Sequence, residues 1–505
     1  MSRDLVSTPS PPAEPEKVSL DELLAGVPEG QQVPAAEVAQ AVVASGRVLV
    51  VLDDDPTGTQ SVSDLPVITG WSSSSLPESL EWAFATGAPA VYVMTNSRSL
   101  APEDAARRNR EVATAAFAAS RASGRQVGFV SRSDSTLRGH YPLETDVLAE
   151  CIAQESGEQV DGVVLVPAFG DAGRITVGGV HYMGNAEQGY TPVAQTEFAR
   201  DATFGYAHSD LRDWVQEKTD GRIAAADVAV VDLATLRTDR AAVVAILAGL
   251  RGGAPVAIDI VEENDLRLLA LALEEAEQQG ARLLYRVGPP FVRGRIGQEV
   301  RAPLSAAEVD RIRSSRAERE GDSADVGGIV AIGSHVGLTT RQLDRLRADR
   351  GLVELEIDVR AVLDDERRGA HLSDLVTRGV EALADGDIIV RTSRELVTGA
   401  DADDSLAISR RVSAALVEVV KQIAQTRAPR FVIAKGGITS SDIAEHALQI
   451  ERAVAVGPML PGIVSLWEPV DGPARGIPYI VFAGNVGDDS SLSAVVDTLS
   501  TKGDA

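Results

Sequence analysis

The 505-residue chain predicts an α/β protein of two domains, each built on a mostly parallel sheet, with a ligand cleft between them. Three observations carry this. Short Val/Ile/Leu-rich runs alternate with longer amphipathic stretches, the pattern of buried parallel strands joined by crossover helices. The alternation breaks once, at a charged stretch over 305–326, and then resumes. The length also exceeds what one hydrophobic core holds.

Taken in order, residues 1–18 are rich in Pro and Ser (Ser7-Thr8-Pro9-Ser10-Pro11-Pro12) and are expected to form a disordered tail. Over 19–304 the apolar runs predict strands at 48–52, 90–94, 127–130, 162–166, 228–232, 256–260 and 282–285. Helices are expected between them, among them 102–122 and 240–250. The stretch 305–326 carries Arg311, Arg313, Arg316, Glu318, Arg319 and Glu320 with few bulky apolar residues, and is expected to be either a solvated helix plus linker or a flexible hinge at the domain boundary. The second domain, 327–505, repeats the pattern with strands at 329–332, 352–357, 387–390, 431–434, 463–466 and 479–482 and a long helix over 404–425. Closure of the cleft is expected around the linker.

Composition narrows the function classes. Hydrophobic residues at 44% and charged residues at 24% are those of a soluble globular chain, and a net charge of −26 argues against nucleic acid or an anionic membrane as partner. An anionic small molecule remains possible where local arginines or backbone N–H groups receive it. The single cysteine, Cys151, excludes an intrachain disulfide and a multi-cysteine zinc site. The six histidines (140, 181, 208, 335, 371 and 446) have no metal-ligand spacing, so no protein metal site is expected. With no signal peptide and no 18-residue apolar run, the expected compartment is the cytoplasm; a homodimer is the default assembly.

Chemistry concentrates at strand ends, where ligands of α/β proteins bind. The first strand runs into Asp53-Asp54-Asp55-Pro56-Thr57-Gly58, and three adjacent carboxylates repel one another unless donors or cations meet them. The third is followed by Arg132-Ser133-Asp134-Ser135-Thr136-Leu137-Arg138-Gly139-His140, in which arginines suit a carboxylate and Asp and Ser suit sugar hydroxyls. After the fourth comes a Gly-rich segment, 168–181, carrying Arg174; it reads equally as an anion site or as a hairpin turn. In the second domain three strands end in Gly-rich turns: Gly333-Ser334-His335, Lys435-Gly436-Gly437-Ile438-Thr439-Ser440 and Ala483-Gly484-Asn485. Such turns free backbone N–H groups for phosphate, yet neither G-x-x-x-x-G-K-[ST] nor G-x-G-x-x-G occurs.

Together these motifs resemble the four-carbon acid sugar kinase family. Asp54-Asp55-Pro56-Thr57-Gly58 matches the family's Asp-Asp-x-Thr-Gly turn, and Arg132–Gly139 its Lys-x-Asp-Ser-Thr-Leu-Arg-Gly segment. The resemblance implies an N-terminal domain that binds a sugar acid and a C-terminal domain that binds ATP with Mg²⁺. It implies phosphoryl transfer to a terminal hydroxyl of a short acid such as threonate, erythronate or an oxo-tetronate. On that basis Asp54 and Asp55 are the candidate catalytic acids. Arg132, Asp134, Ser135, Arg138, Gly139 and Arg174 are assigned to the sugar acid, and Ser334, Gly436, Gly437, Thr439, Ser440 and Gly484 to the nucleotide. The chain departs from the family pattern at Pro56 (usually Leu), Arg132 (usually Lys) and His140 (commonly Asn). It departs again at Phe482, which stands where the late Lys-x-Gly-x-Phe-Gly motif has its lysine. The missing lysine favours a competing reading, a non-catalytic sensor of sugar acid or nucleotide; a phosphohydrolase would leave the Gly-rich domain unused.

Overall fold

The computed structural model describes residues 17–320, 326–394, 397 and 402–501. Its first strand, Arg47–Asp53, shows why the apolar runs become strands. Val48, Val50 and Leu52 pack into one core and Leu49 and Val51 into the opposite one, so the run is buried on both faces. Parallel neighbours flank it: Ala90–Met94 on one side and Gln126–Arg132 on the other. Beyond Gln126–Arg132 follow Leu283–Val287, Gly162–Val166, Ala254–Ile258 and Ala229–Val231, all parallel. The helix Pro102–Ser123 illustrates the crossovers. It opens with Pro and two acids in its first turn, buries an alanine-rich face, and stops at Gly124, whose φ of 71° is left-handed.

The C-terminal half is a second parallel series, Tyr479–Phe482, Val432–Lys435, Ile329–Ile332, Ile388–Thr392 and Val353–Ile357 in spatial order. The two series are not separate sheets. Leu65–Ile68 lies parallel to Ala90–Met94 and antiparallel to Arg452–Leu460, which pairs with Ile463–Pro469 and through it with Tyr479–Phe482. Among the described residues fifteen strands therefore form one sheet running through both halves. Both expected series of strands are present, whereas the two joining strands at 65–68 and 452–460 were not read from the sequence. The 168–181 segment resolves as a hairpin: Arg174–Val177 pairs with Val180–Asn185, which pairs in turn with Gly189–Pro192.

Two sequence expectations change. The tail lies outside the described residues only to residue 16; Val18 already exchanges both backbone hydrogen bonds with Tyr190, at 2.9 and 2.7 Å. The expected linker is, as far as residue 320, the helix Ala306–Glu320, with Val309 and Ile312 buried in the C-terminal core; 321–325 lie outside the described residues. Of the two readings of this stretch the helix holds as far as residue 320, with part of it buried rather than wholly solvated. A shared sheet also rules out a free hinge there, since closure has to bend the ladder between 65–68 and 452–455.

Candidate functional site

The acidic turn is built by a strand that ends and a 3₁₀ turn that begins. Asp55 caps the turn Pro56–Ser61, its Oδ1 accepting from Thr57 N at 2.9 Å and Thr57 Oγ1 at 2.5 Å. The three carboxylates are not equivalent. Asp53 is fully buried and ion-paired with Arg132, whose guanidinium also donates to the Asp55 carbonyl. Burial drives the Asp53 carboxyl upward while Arg132 holds it back. Asp54 is gripped by Arg98 through two parallel hydrogen bonds, Nε to Oδ2 at 3.1 Å and Nη2 to Oδ1 at 2.7 Å. Asp55 alone keeps an open carboxylate edge, 3.8 Å from Arg98 Nη1, with its side chain 23% exposed. Burial opposes its ionisation, but Arg98, Arg132 and the Thr57 hydrogen bonds prevail and hold it below the usual carboxylate range.

The second segment lies beside the first. Arg98 and Arg138 charges, with hydrogen bonds from Thr136 and Arg138, overcome burial and keep Asp134 strongly ionised. Arg138 Nε donates to Asp134 at 2.6 Å, and its guanidinium covers the Phe198 ring at 5.0 Å. Gly139, with φ 116°, passes close enough to Arg286 Nη2 and Asp54 Oδ2 that a Cβ would lie 2.9 and 3.1 Å from them. Ser135 is fixed through its carbonyl, which accepts from His181 Nε2 at 2.8 Å; His181 Nδ1 in turn accepts from Thr176 Oγ1. Arg174, on the hairpin, has a buried Nε without a hydrogen-bond partner and lies within the fields of Asp134 and Arg138. Arg132 is 2% exposed and committed to Asp53, so in this state it offers no free guanidinium to a ligand.

In the C-terminal half the three Gly-rich turns converge because their strands are neighbours. Thr339 Oγ1 bridges Ser334 Oγ at 3.2 Å and the Gly484 carbonyl at 2.9 Å. A Cβ on Gly484 would overlap Ser334 Oγ, and one on Gly333 would overlap Thr439 Oγ1. Ser440 is turned inward, its Oγ 2.7 Å from the Gly436 carbonyl and 2.9 Å from that of Ala434, so it braces the turn from beneath. Arg394, unmarked by any motif, reaches the Ser334 carbonyl and Thr340 Oγ1.

The two groups meet. A Cβ on Gly437 would stand 3.0 Å from Asp55 Oδ2, so the acidic turn and the Gly-Gly turn are in contact across the halves. Trp467 Nε1 donates to Thr59 Oγ1 at 2.8 Å, pinning the acidic turn from the C-terminal side. Beside this contact opens a cavity of about 350 Å³, walled by Asp54, Asp55 and Arg98 on one side and by Ile438, Asp442 and His446 on the other. His446 belongs to a π turn, Ile443–Ala447, a local irregularity frequent at functional sites. Arg98 and Arg286 were not legible as site residues in the sequence. Each follows an apolar strand signal, but neither carries a motif.

Among the described residues no cluster of three or more His, Cys, Asp or Glu is disposed to hold a metal ion, and no helix is long and apolar enough to cross a membrane. The Gly-rich turns have the composition of backbone phosphate sites, although the Gly333, Ser334 and Gly436 N–H groups already donate to the Lys435 and Phe482 carbonyls.

Residues 49–295 match the family described as a sugar-binding N-terminal domain, and 329–492 that described as a nucleotide-binding C-terminal domain. The chain is 25% identical over 475 residues to a D-erythronate kinase of Heliobacterium modesticaldum, covering 90% of this chain and 97% of that one. It is 26% identical over 428 residues to a D-threonate kinase of Cupriavidus necator, covering 80% and 86%. Crystal structures of a Salmonella typhimurium LT2 protein (TM-score 0.63, 19% identity, 89% and 98% covered) and a Haemophilus influenzae protein (0.60, 16%, 90% and 100%) share the fold. The chain belongs to the four-carbon acid sugar kinase family.

Proposed function

We propose that this protein is an ATP-dependent kinase that phosphorylates a terminal hydroxyl of a short sugar acid of the erythronate or threonate type. The observation that supports it most is the contact between Asp55 and Gly437. A proton acceptor in one half faces a backbone cradle in the other, which is what in-line transfer between a hydroxyl and a γ-phosphoryl group needs. Bound ATP supplies the phosphoryl group, and its Mg²⁺ neutralises charge on the phosphates.

Asp55 is the general base: ionised, partly exposed and open to the cavity at Oδ2. Asp54 is a positioning residue that fixes Arg98, and Arg98 in turn holds positive charge beside the reacting centre. Arg174 and Arg138 receive the carboxylate of the acid, Arg174 with its unpartnered Nε and Arg138 from its pair with Asp134. Asp134 and Ser135 meet substrate hydroxyls, Gly139 admits the acid close to Asp54, and Arg132 locks the turn through Asp53. Ser334, Gly436, Gly437, Thr439 and Gly484 form the nucleotide cradle, and Ser440 supports it from below. The test is ADP formation by the full chain across four- to six-carbon sugar acids, with Asp55→Asn as control. Turnover that persists in Asp55→Asn removes Asp55 as the base. Ligand-induced thermal shifts without any turnover favour the sensor.

A further inference from the structure

Lysine is rare in this chain: of its 48 Lys and Arg residues only Lys17, Lys218, Lys421, Lys435 and Lys502 are lysines. Among the described residues Lys435 is also the one lysine that is fully buried, at 0% exposure. Its Nζ donates to the Ala483 carbonyl at 2.6 Å and stands 3.7 Å from the centroid of the Phe482 ring. An ammonium has three N–H donors, and among the described residues only that one acceptor and no carboxylate meets this one. A buried cation without a counter-ion is costly, a cost met either by losing the proton or by gaining an anion.

Strand register places Lys435 beside the Gly-rich turns. Lys435 pairs with Ile332 in one parallel ladder and with Phe482 in the other, so it sits on the middle of the three strands that run into the Gly333, Gly436 and Gly484 turns. Register partners on adjacent strands project to the same face. By the family resemblance Phe482 stands where a late lysine is expected, and the Lys435 ammonium lies against its ring and donates to the Ala483 carbonyl, one residue from Gly484. We propose that Lys435 replaces that absent lysine, its ammonium meeting the phosphates of the bound nucleotide while the Phe482 ring face holds it in their absence. This rests on the reading of the C-terminal turns as the nucleotide cradle. The cation has moved to the neighbouring strand, which removes the main observation in favour of a non-catalytic sensor.

Burial pushes Lys435 down to about 7, so near neutral pH part of the population lacks the proton that an arriving phosphate would recruit. The test is isothermal titration of Mg·ATP into the full chain at pH 7.5, in buffers of differing ionisation enthalpy. Wild type, Lys435→Met, Lys435→Gln and the double variant Lys435→Met/Phe482→Lys are compared, with circular dichroism on each. The wild type is expected to take up protons on binding. Both single variants lose that uptake and bind about ten- to a hundredfold more weakly, the range for a charge-assisted hydrogen bond. Lys435→Gln separates charge from shape, since an amide still donates to the Ala483 carbonyl. The double variant regains most of the affinity. Single variants that fold and bind like wild type overturn the inference, as does a folded double variant with no recovery. A wild type that does not bind Mg·ATP overturns the nucleotide reading itself, a separate and recognisable outcome.

Discussion

Lys435→Met tests the electrostatics of the C-terminal core without any ligand. The lysine is fully buried with no carboxylate beside it, and burial lowers it from 10.5 to about 7. Between those values the unfolded chain keeps the proton that the folded chain has lost, so the unfolded state binds more protons and stability rises with pH. From pH 7 to pH 9 the gain is about 2 kcal/mol, since each tenfold change in proton concentration is worth about 1.4 kcal/mol and the folded group is already half titrated at pH 7. Below pH 7 the folded state carries the whole cost of the buried charge, and there the methionine variant is the more stable of the two. The assay is urea unfolding of both proteins at pH 6, 7 and 9, following the difference in midpoints at matched slope. Subtracting the variant cancels every other titrating group. The wild type is expected to gain on the variant as pH rises. A difference independent of pH refutes the reasoning and means that Lys435 is charged and compensated in the fold.

Other perturbations separate the roles at the acidic turn. Asp55→Asn is expected to lower acid-dependent ADP formation by about 10²- to 10⁴-fold, the usual contribution of a general base, in a protein that still folds but loses the stability its ionised carboxylate contributes at neutral pH. Arg132→Met leaves Asp53 buried and unpaired and is expected to cost about 3–5 kcal/mol in unfolding free energy. Adding Asp53→Asn should restore much of it, and a double variant as unstable as the single one contradicts the pairing. Gly437→Ala places a methyl 3.0 Å from Asp55 Oδ2, so turnover should fall while thermal stability changes little; unaltered kinetics argue against a working contact there. Arg174→Gln should raise KM for the acid more than it lowers kcat, measured at saturating ATP, and an unchanged KM removes Arg174 from carboxylate recognition.

Much of this was legible in the sequence because strand ends announce themselves. An apolar run that breaks into Asp-Asp-Asp-Pro or Lys-Gly-Gly marks both a strand and the edge at which ligands gather. What the sequence hid was partnership. Nothing in Asn96-Ser97-Arg98-Ser99 says that Arg98 folds back onto Asp54, since the contact depends on two parallel strands ending side by side. Arg132 reads as a free cation until its register opposite Asp53 is known. The joining strands escaped for local reasons: 65–68 is four residues with a proline inside, and 452–460 contains Gly457 and Pro458, both depleted in strands. Lys435 looked like one more turn residue until its neighbour proved to be Phe482.

In the proposed function the acidic turn and the glycine turns form one phosphoryl-transfer site. The most direct measurement of that function is mass spectrometry of the products when the full chain, Mg·ATP and a panel including D-erythronate and D-threonate are incubated together. ADP and a monophosphorylated sugar acid are expected in equal amounts, both lowered at least a hundredfold in Asp55→Asn. ADP formed without any phosphorylated acid, or no ADP with any acid despite tight Mg·ATP binding, contradicts that function.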